Sequence, residues 1–122
     1  MKNYLFILLI CLGCASKKEI VVPKFESKIV SNEKLSCRAI FVDADKVWLG
    51  MDKGRYGFYD KKKDTLVVKT IQSVSNATEF RSIAATKDAI FILAVGNPAK
   101  LIKIDKKSLQ ETIVYQEENE KV

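Results

Sequence analysis

The sequence predicts an all-β fold composed of two four-stranded antiparallel units, and three observations support this. Arg38-Ala39-Ile40 recurs as Arg81-Ser82-Ile83, an internal repeat at an offset of 43 residues. From residue 35 onward, short runs of β-branched and aromatic residues are separated by Asp, Lys, Gly and Asn, the pattern of strands and turns. Beyond the first 13 residues, no window keeps apolar residues at helical spacing. A repeat of this length is typical of β-propeller blades, and two blades alone make an incomplete propeller.

The first unit covers residues 35–77, and its turns can be located by their chemistry. Asp43 and Asp45 offer carboxylates that can accept hydrogen bonds from the backbone of a tight turn. Gly54 tolerates the positive φ that a short hairpin requires. The predicted strands are Cys37–Val42, Lys46–Met51, Arg55–Tyr59 and Leu66–Val74.

The second unit covers residues 78–122 and repeats this order. Its central strand, Ala89–Val95, is apolar on both faces, as expected of a strand between two neighbouring sheets. The counterpart Lys46–Met51 alternates more between apolar and polar residues. That pattern suits a unit near the end of an array, with one face less covered. The repeat continues at an offset of 45 from Asp60-Lys61-Lys62 to Asp105-Lys106-Lys107. The predicted strands are Phe80–Ala85, Ala89–Val95, Lys100–Ile104 and Glu111–Gln116.

Residues 1–13 have the basic tip and short apolar run of an export signal, too short to cross a membrane as a helix. Gly13-Cys14 resembles a bacterial lipobox, so Cys14 is predicted to be lipidated and to become the new N-terminus. Residues 14–34 would then be a tether, with one additional strand near Ile29. This places the protein in the bacterial cell envelope, lipid-anchored to the outer membrane. An ordinary cleaved signal peptide and an uncleaved anchor helix are the alternatives.

Charge and composition exclude several functions. The chain has 21 basic and 15 acidic residues, but the basic excess is scattered, whereas a nucleic-acid-binding protein needs a contiguous basic face with interleaved aromatics. The chain has no histidine, which removes Ser-His-Asp and Cys-His catalysis and most zinc sites. Asp43, Asp45 and Asp52 match no calcium-loop spacing, and Asp60 and Asp105 recur as turn residues. No metal or cofactor is predicted.

Three residues remain as candidates for interaction or packing. Arg38 and Arg81 each begin the first strand of a unit; if those strands line a central axis, their guanidinium groups gather on one rim and offer fixed forks for carboxylates or phosphates. The alternative is a buried pair with a neighbouring Asp or backbone carbonyl.

Cys37 is predicted to be a buried small hydrophobe rather than a nucleophile. The aromatic residues predicted in the core are Trp48, Phe58, Tyr59, Phe80 and Phe91.

The runs Leu35-Ser36-Cys37-Arg38-Ala39-Ile40 and Glu79-Phe80-Arg81-Ser82-Ile83 resemble the photosystem II stability and assembly factor family. They are closer still to its exported bacterial relatives, often labelled oxidoreductases. The resemblance covers residues 35–122 and implies a multi-bladed propeller that serves as a binding and assembly platform, with Arg38 and Arg81 as its blade-opening arginines. That family usually closes blades with an Asp-Gly-Gly-Lys-Thr-Trp turn, whereas this chain has lysine-rich turns, so quinoprotein-like propellers remain an alternative.

These observations favour a non-enzymatic, membrane-anchored propeller fragment that binds or scaffolds a protein in the envelope. We expect the repeat array to be truncated at Val122, since repeat proteins generally need at least three units. One alternative is part of a propeller enzyme, an oxidoreductase or a sialidase-like glycosidase, with its catalytic residues in missing blades. Another is a complete small β-sandwich lipoprotein.

Overall fold

The computed structural model describes residues 17–118, which form two four-stranded antiparallel sheets and no helix. Each sheet is a meander in which consecutive strands are neighbours, and the sheets do not close into a barrel or propeller within this part of the chain. Sheet A consists of β1 (Cys37–Val42), β2 (Lys46–Met51), β3 (Arg55–Asp60) and β4 (Thr65–Thr70). Sheet B consists of β5 (Glu79–Ala85), β6 (Ala89–Val95), β7 (Lys100–Asp105) and β8 (Glu111–Gln116).

The all-β prediction with two four-stranded antiparallel units is confirmed, and most strand limits agree to within one residue. Two predictions about the strands are wrong. β4 ends at Thr70 rather than Val74, because Ile71 leaves the ladder and donates its N–H to the Gly54 carbonyl in the β2–β3 turn, at 2.9 Å. No strand forms near Ile29, whose side chain is exposed with no strand beside it.

The predicted turn at Gly54 is confirmed. Lys53 and Gly54 both have positive φ, at 56° and 65°, and Arg55 donates its N–H to the Asp52 carbonyl at 3.1 Å, which closes the hairpin. Paired positive φ values suit the right-handed twist of the two strands. The same turn also holds the linker to sheet B, since Gly54 donates its N–H to Thr78 at 2.8 Å.

The core lies between the two sheets. Trp48 and Phe58 of sheet A pack at a ring-centroid distance of 4.8 Å and an interplanar angle of 52°. Gly50 makes room for Phe80 of sheet B, because a Cβ on Gly50 would lie 3.0 Å from the Phe80 Cβ. The buried residues of this cluster are Trp48, Tyr56, Phe58, Ile71, Phe80, Ile90, Ile92, Ala94, Ile102 and Ile104.

Burial corrects part of the predicted core. Trp48, Phe58 and Phe80 are buried as predicted, but Tyr59 and Phe91 are only half-buried. Both point away from the other sheet: Tyr59 is in register with Val47, and Phe91 lies between the core residues Ile90 and Ile92. Since neighbouring strand residues point to opposite faces, a residue between two core positions faces outward.

The two sheets pack through different faces. A residue that points into the core from sheet A has a repeat counterpart in sheet B that points away from the core. The register pairs Trp48 with Phe58 in sheet A and Phe91 with Lys103 in sheet B, at the repeat offsets of 43 and 45. Trp48 faces the other sheet, whereas its counterpart Phe91 faces away. We call the side of either sheet that carries these residues, Trp48 or Phe91, the front face, and the opposite side the back face. The core therefore joins the front of sheet A to the back of sheet B.

The outer side of β6 is not covered by another sheet, contrary to the prediction for an inner strand. Its back-face residues, including Ile90 and Ile92, are buried, but Leu93 and Val95 on the front face are exposed by 42% and 46%. The strand is apolar on both sides, yet residues 17–118 supply a neighbour on only one of them. The second unit therefore also has an open face.

Candidate functional site

Arg38 and Arg81 lie together at one end of the sheets, where the Glu79 carboxylate joins them. The Arg81 guanidinium lies 2.5 Å from Glu79 Oε2, and the Arg38 guanidinium lies 3.6 Å from Glu79 Oε1. The arginine side chains are 44% and 56% exposed and Glu79 is 30% exposed. The structure therefore gathers the two arginines at an exposed rim, and the buried-pair alternative does not describe them.

A β-bulge sets the position of each arginine. In sheet A, Cys37 and Ala39 pair with Met51 and Gly50, which leaves Arg38 as the extra residue of β1. The same irregularity in β5 lies between Phe80 and Ser82 and leaves Arg81 unpaired in the ladder. Bulges redirect side chains and often lie at sheet ends next to functional sites. The repeated arginine therefore coincides with a repeated local geometry.

Arg55 lies at this end too but has a structural role. Its guanidinium is 2.7 Å from Asp52 Oδ1 across the β2–β3 turn, and it also donates to the Lys34 carbonyl at 3.4 Å. The hydrogen bond from Arg55 is the main reason that the pKa of Asp52 is lowered. We call the end that carries Arg38, Arg55, Glu79 and Arg81 the arginine end.

The opposite end of the sheets carries the lysine-rich turns, and we call it the lysine end. The Lys106 ammonium lies 2.7 Å from Asp43 Oδ2 and donates to the Thr86 carbonyl at 2.7 Å, so it connects the turns of both sheets. Its hydrogen bond is the main cause that lowers the pKa of Asp43. The counterpart Lys61 instead donates within its own sheet, to the Asp43 carbonyl at 3.0 Å.

Asp60 and Asp105 have the turn role predicted for them. The Asp60 carboxylate accepts backbone hydrogen bonds from Lys62 and Lys63, at 3.0 and 2.9 Å. Asp105 does the same for Lys107 and Ser108, at 2.8 and 2.7 Å. These backbone donors lower the pKa of both carboxyl groups. Within residues 17–118, no group of three or more His, Cys, Asp or Glu side chains is arranged to hold a metal ion.

Sequence reasoning missed a cleft at the lysine end, and Trp48 is part of its lining. The cleft has a volume of about 250 Å³ and is also lined by Asp43, Asp45, Lys46 and Lys106. The Lys46 ammonium lies over the Phe58 ring, 4.4 Å from its centroid. The buried indole N–H of Trp48 has no hydrogen-bond acceptor among the described residues. No sequence signal could have identified the cleft, because its two sides come from different sheets.

The cysteine predictions have different outcomes. Cys14 lies outside the described residues, so its lipidation stays a prediction. Cys37 is exposed, which contradicts its predicted burial. The reason is its place on the back face of sheet A: its counterpart Phe80 is buried by sheet A, whereas no sheet among residues 17–118 covers Cys37. Desolvation nevertheless raises the pKa of the Cys37 thiol, which favours its neutral form.

Comparisons with known proteins leave the chain without a family assignment. No protein-family model matches it, and no curated protein gives a significant match. Within residues 17–118, the structure contains no helix long and apolar enough to span a bilayer.

Proposed function

We propose that this chain is a lipid-anchored protein of the bacterial cell envelope whose two sheets are propeller-type repeat units that bind or scaffold another protein. The observation that carries this proposal is the pair of exposed guanidinium groups at the arginine end. Arg38 and Arg81 share the carboxylate of Glu79, so two positive charges are balanced by one negative charge. A planar guanidinium presents fixed donors that suit a carboxylate on a partner.

The way the two sheets stack supports their assignment as propeller-type repeat units. Each unit is a four-stranded antiparallel meander, and the front of one unit packs on the back of the next. That arrangement differs from a two-sheet sandwich, in which the inner faces of the two sheets pack against each other and the outer faces need no further sheet. Front-to-back stacking leaves an open face at either end of the pair, as in repeat arrays whose units contact only their neighbours.

The anchor is supported by the lipobox-like Gly13-Cys14 and by the segment that follows it. Residues 17–30 carry no strand or helix and are exposed, as a tether would be. Two or more acyl chains give stable attachment to a membrane. Metabolic labelling with a palmitate analogue tests this: Cys14→Ser should abolish incorporation, and the matched Cys37→Ser should retain it. Labelling that persists in the Cys14→Ser chain would disprove the anchor.

Partner binding can be tested by photo-crosslinking in cells. A crosslinking amino acid replaces Asn97, an exposed residue in the β6–β7 turn at the arginine end. We expect protein adducts that are lost in the Arg38→Gln, Arg81→Gln chain and retained in a control with Lys61→Gln and Lys107→Gln at the lysine end. Adducts that survive the arginine substitutions unchanged would show that Arg38 and Arg81 do not bind the partner.

A further inference from the structure

The two open faces of the molecule are counterparts of the two faces that form its core. On the back face of sheet A, Ile40 and Val42 are 62% and 65% exposed, and their counterparts Ile83 and Ala85 pack against the core. On the front face of sheet B, Leu93 is 42% exposed, and its counterpart Gly50 is buried. Among residues 17–118, one copy of each side of the core interface is therefore left uncovered.

Both open faces are apolar over several strands. The back face of sheet A presents Ile40, Val42, Val47, Leu49 and Tyr59. The front face of sheet B presents Phe91, Leu93, Val95, Leu101 and Tyr115, with the exposed Lys103 beside Phe91. Contiguous apolar patches on a protein surface mark sites of interaction.

Residues 17–36, the described part of the segment before the sheets, do not cover these faces. Residues 17–36 contribute several apolar side chains, yet Ile20, Phe25 and Ile29 are 89%, 90% and 84% exposed. A segment packed on either face would bury such side chains. The segment does reach the sheets through polar contacts, with the Lys28 ammonium paired to Asp64.

We propose that these faces dock a second copy of this chain, head to tail, so that the front of sheet B in one copy packs on the back of sheet A in the next. The core already contains this type of interface, formed by the same strands of equivalent units. A contact between two different faces is heterologous, and it produces a closed ring where the rotation closes and an open series where it does not. The proposal does not depend on what the arginine end binds or on the lipid anchor.

The repeat gives the proposed interface a specific residue pair. At the core interface, a Cβ on Gly50 would lie 3.0 Å from the Cβ of Phe80. The counterpart of Gly50 is Leu93, and the counterpart of Phe80 is Cys37. In a head-to-tail assembly, Leu93 of one copy therefore lies against Cys37 of the next. A separation of 3.0 Å is shorter than the roughly 3.5–4.5 Å between the Cβ atoms of a disulfide, so the two sheets must lie slightly further apart where Leu93 takes the place of Gly50, and that shift moves the two Cβ atoms toward disulfide distance.

The test is disulfide crosslinking of the full Leu93→Cys chain in cell extracts, with copper-phenanthroline as the oxidant and peptide mass spectrometry to identify the linked sites. Two thiols each lose one electron and one proton to the oxidant as the S–S bond forms. We expect a covalent dimer and higher species linked between position 93 of one copy and Cys37 of the other. Adding Cys37→Ser should abolish this link. Lys87→Cys, an exposed control at the other end of β6, should not form it.

Two crosslinking results would overturn the proposal. One is the absence of any link between positions 93 and 37. The other is a 93-to-93 link that persists with Cys37→Ser, since that would join two front faces in a symmetric dimer. A face covered by another segment or another protein would also give no 93-to-37 link.

Sedimentation of the otherwise unmodified chain provides a second measurement, in case Leu93→Cys perturbs the sheet. We expect its weight-average mass to rise with concentration. Leu93→Lys should weaken that association by more than about tenfold, because docking would bury an unpaired ammonium. A chain that stays monomeric at high concentration would contradict the proposal.

Discussion

Phe80 and Cys37 occupy the same position in their sheets, yet Phe80 is buried and Cys37 is exposed. Each is the residue before the bulged arginine in the first strand of its sheet, β1 or β5. The difference arises from stacking alone, because sheet A covers Phe80 and nothing equivalent among the described residues covers Cys37. Burial in this fold therefore depends on whether a neighbouring sheet is present, and not only on the position within a unit.

Phe80→Ala should destabilise the fold by about 3–5 kcal/mol, the usual cost of truncating a buried phenylalanine. The loss arises because Phe80 fills the space opposite Gly50 and packs within the buried cluster between the sheets. Urea unfolding followed by tryptophan fluorescence measures the change. Tyr115→Ala is a suitable control, since Tyr115 is 63% exposed and its loss should change stability by less than about 0.5 kcal/mol. Equal effects of both substitutions would contradict the assigned core.

Lys106→Met should make the protein less sensitive to acid. Lys106 lowers the pKa of Asp43, so folding gains stability above the ordinary carboxyl pKa of about 3.9, and this gain is lost as the pH falls through the lowered value. Without Lys106, the unfolding free energy should decline less steeply as the pH falls below the ordinary carboxyl pKa and through the lowered one. Urea unfolding at several pH values measures the slope.

Lys61→Met is the matched control for this experiment. Lys61 contacts the backbone carbonyls of Asp43 and Ala44 rather than the carboxylate. Its substitution should leave most of the acid dependence in place. If both lysine substitutions flatten the profile equally, the connection between the two sheets at Lys106 has no special role.

Tyr56→Phe should make the fold more resistant to alkali. Burial, followed by the charge of Glu111, raises the pKa of Tyr56 to about 12. The neutral phenol therefore favours the folded state below the ordinary tyrosine pKa of about 10, and this stabilisation is lost as the pH rises toward 12. Absorbance at alkaline pH should show one tyrosine fewer in the late step of the Tyr56→Phe titration. If the tyrosine is lost instead from the early step, near the ordinary pKa of about 10, Tyr56 is not buried.

The sequence predicted most of the strands, and it offered the meeting of the two arginines as one of two alternatives. Periodicity, turn residues and the repeat are local signals, and they located the strands around Asp43, Gly54 and Asp105 closely. The arginines could be paired because the repeat places them at the start of equivalent strands. Their shared partner Glu79 was not identified, since its counterpart in the first unit is Ser36 and the repeat gives no indication of it.

Other features depend on which sheet faces which, and no local pattern carries that information. The exposure of Cys37, the half-burial of Phe91 and the reach of Lys106 to Asp43 all follow from front-to-back stacking. The short apolar runs before residue 31 show the reverse case, in which a local pattern predicts a strand that does not form. Ile29 has the composition of a strand, but no neighbouring strand pairs with it.

The most direct test of front-to-back stacking with open counterpart faces is the thiol reactivity of Cys37 in the unsubstituted full chain. Maleimide labelling of cell extracts at low and high protein concentration, quantified by mass spectrometry of the Cys37 peptide, reports whether that face is covered. We expect rapid labelling when the chain is dilute and slower labelling as concentration rises, whereas Lys87→Cys should label equally at both. Labelling of Cys37 that does not change with concentration would contradict head-to-tail stacking between copies.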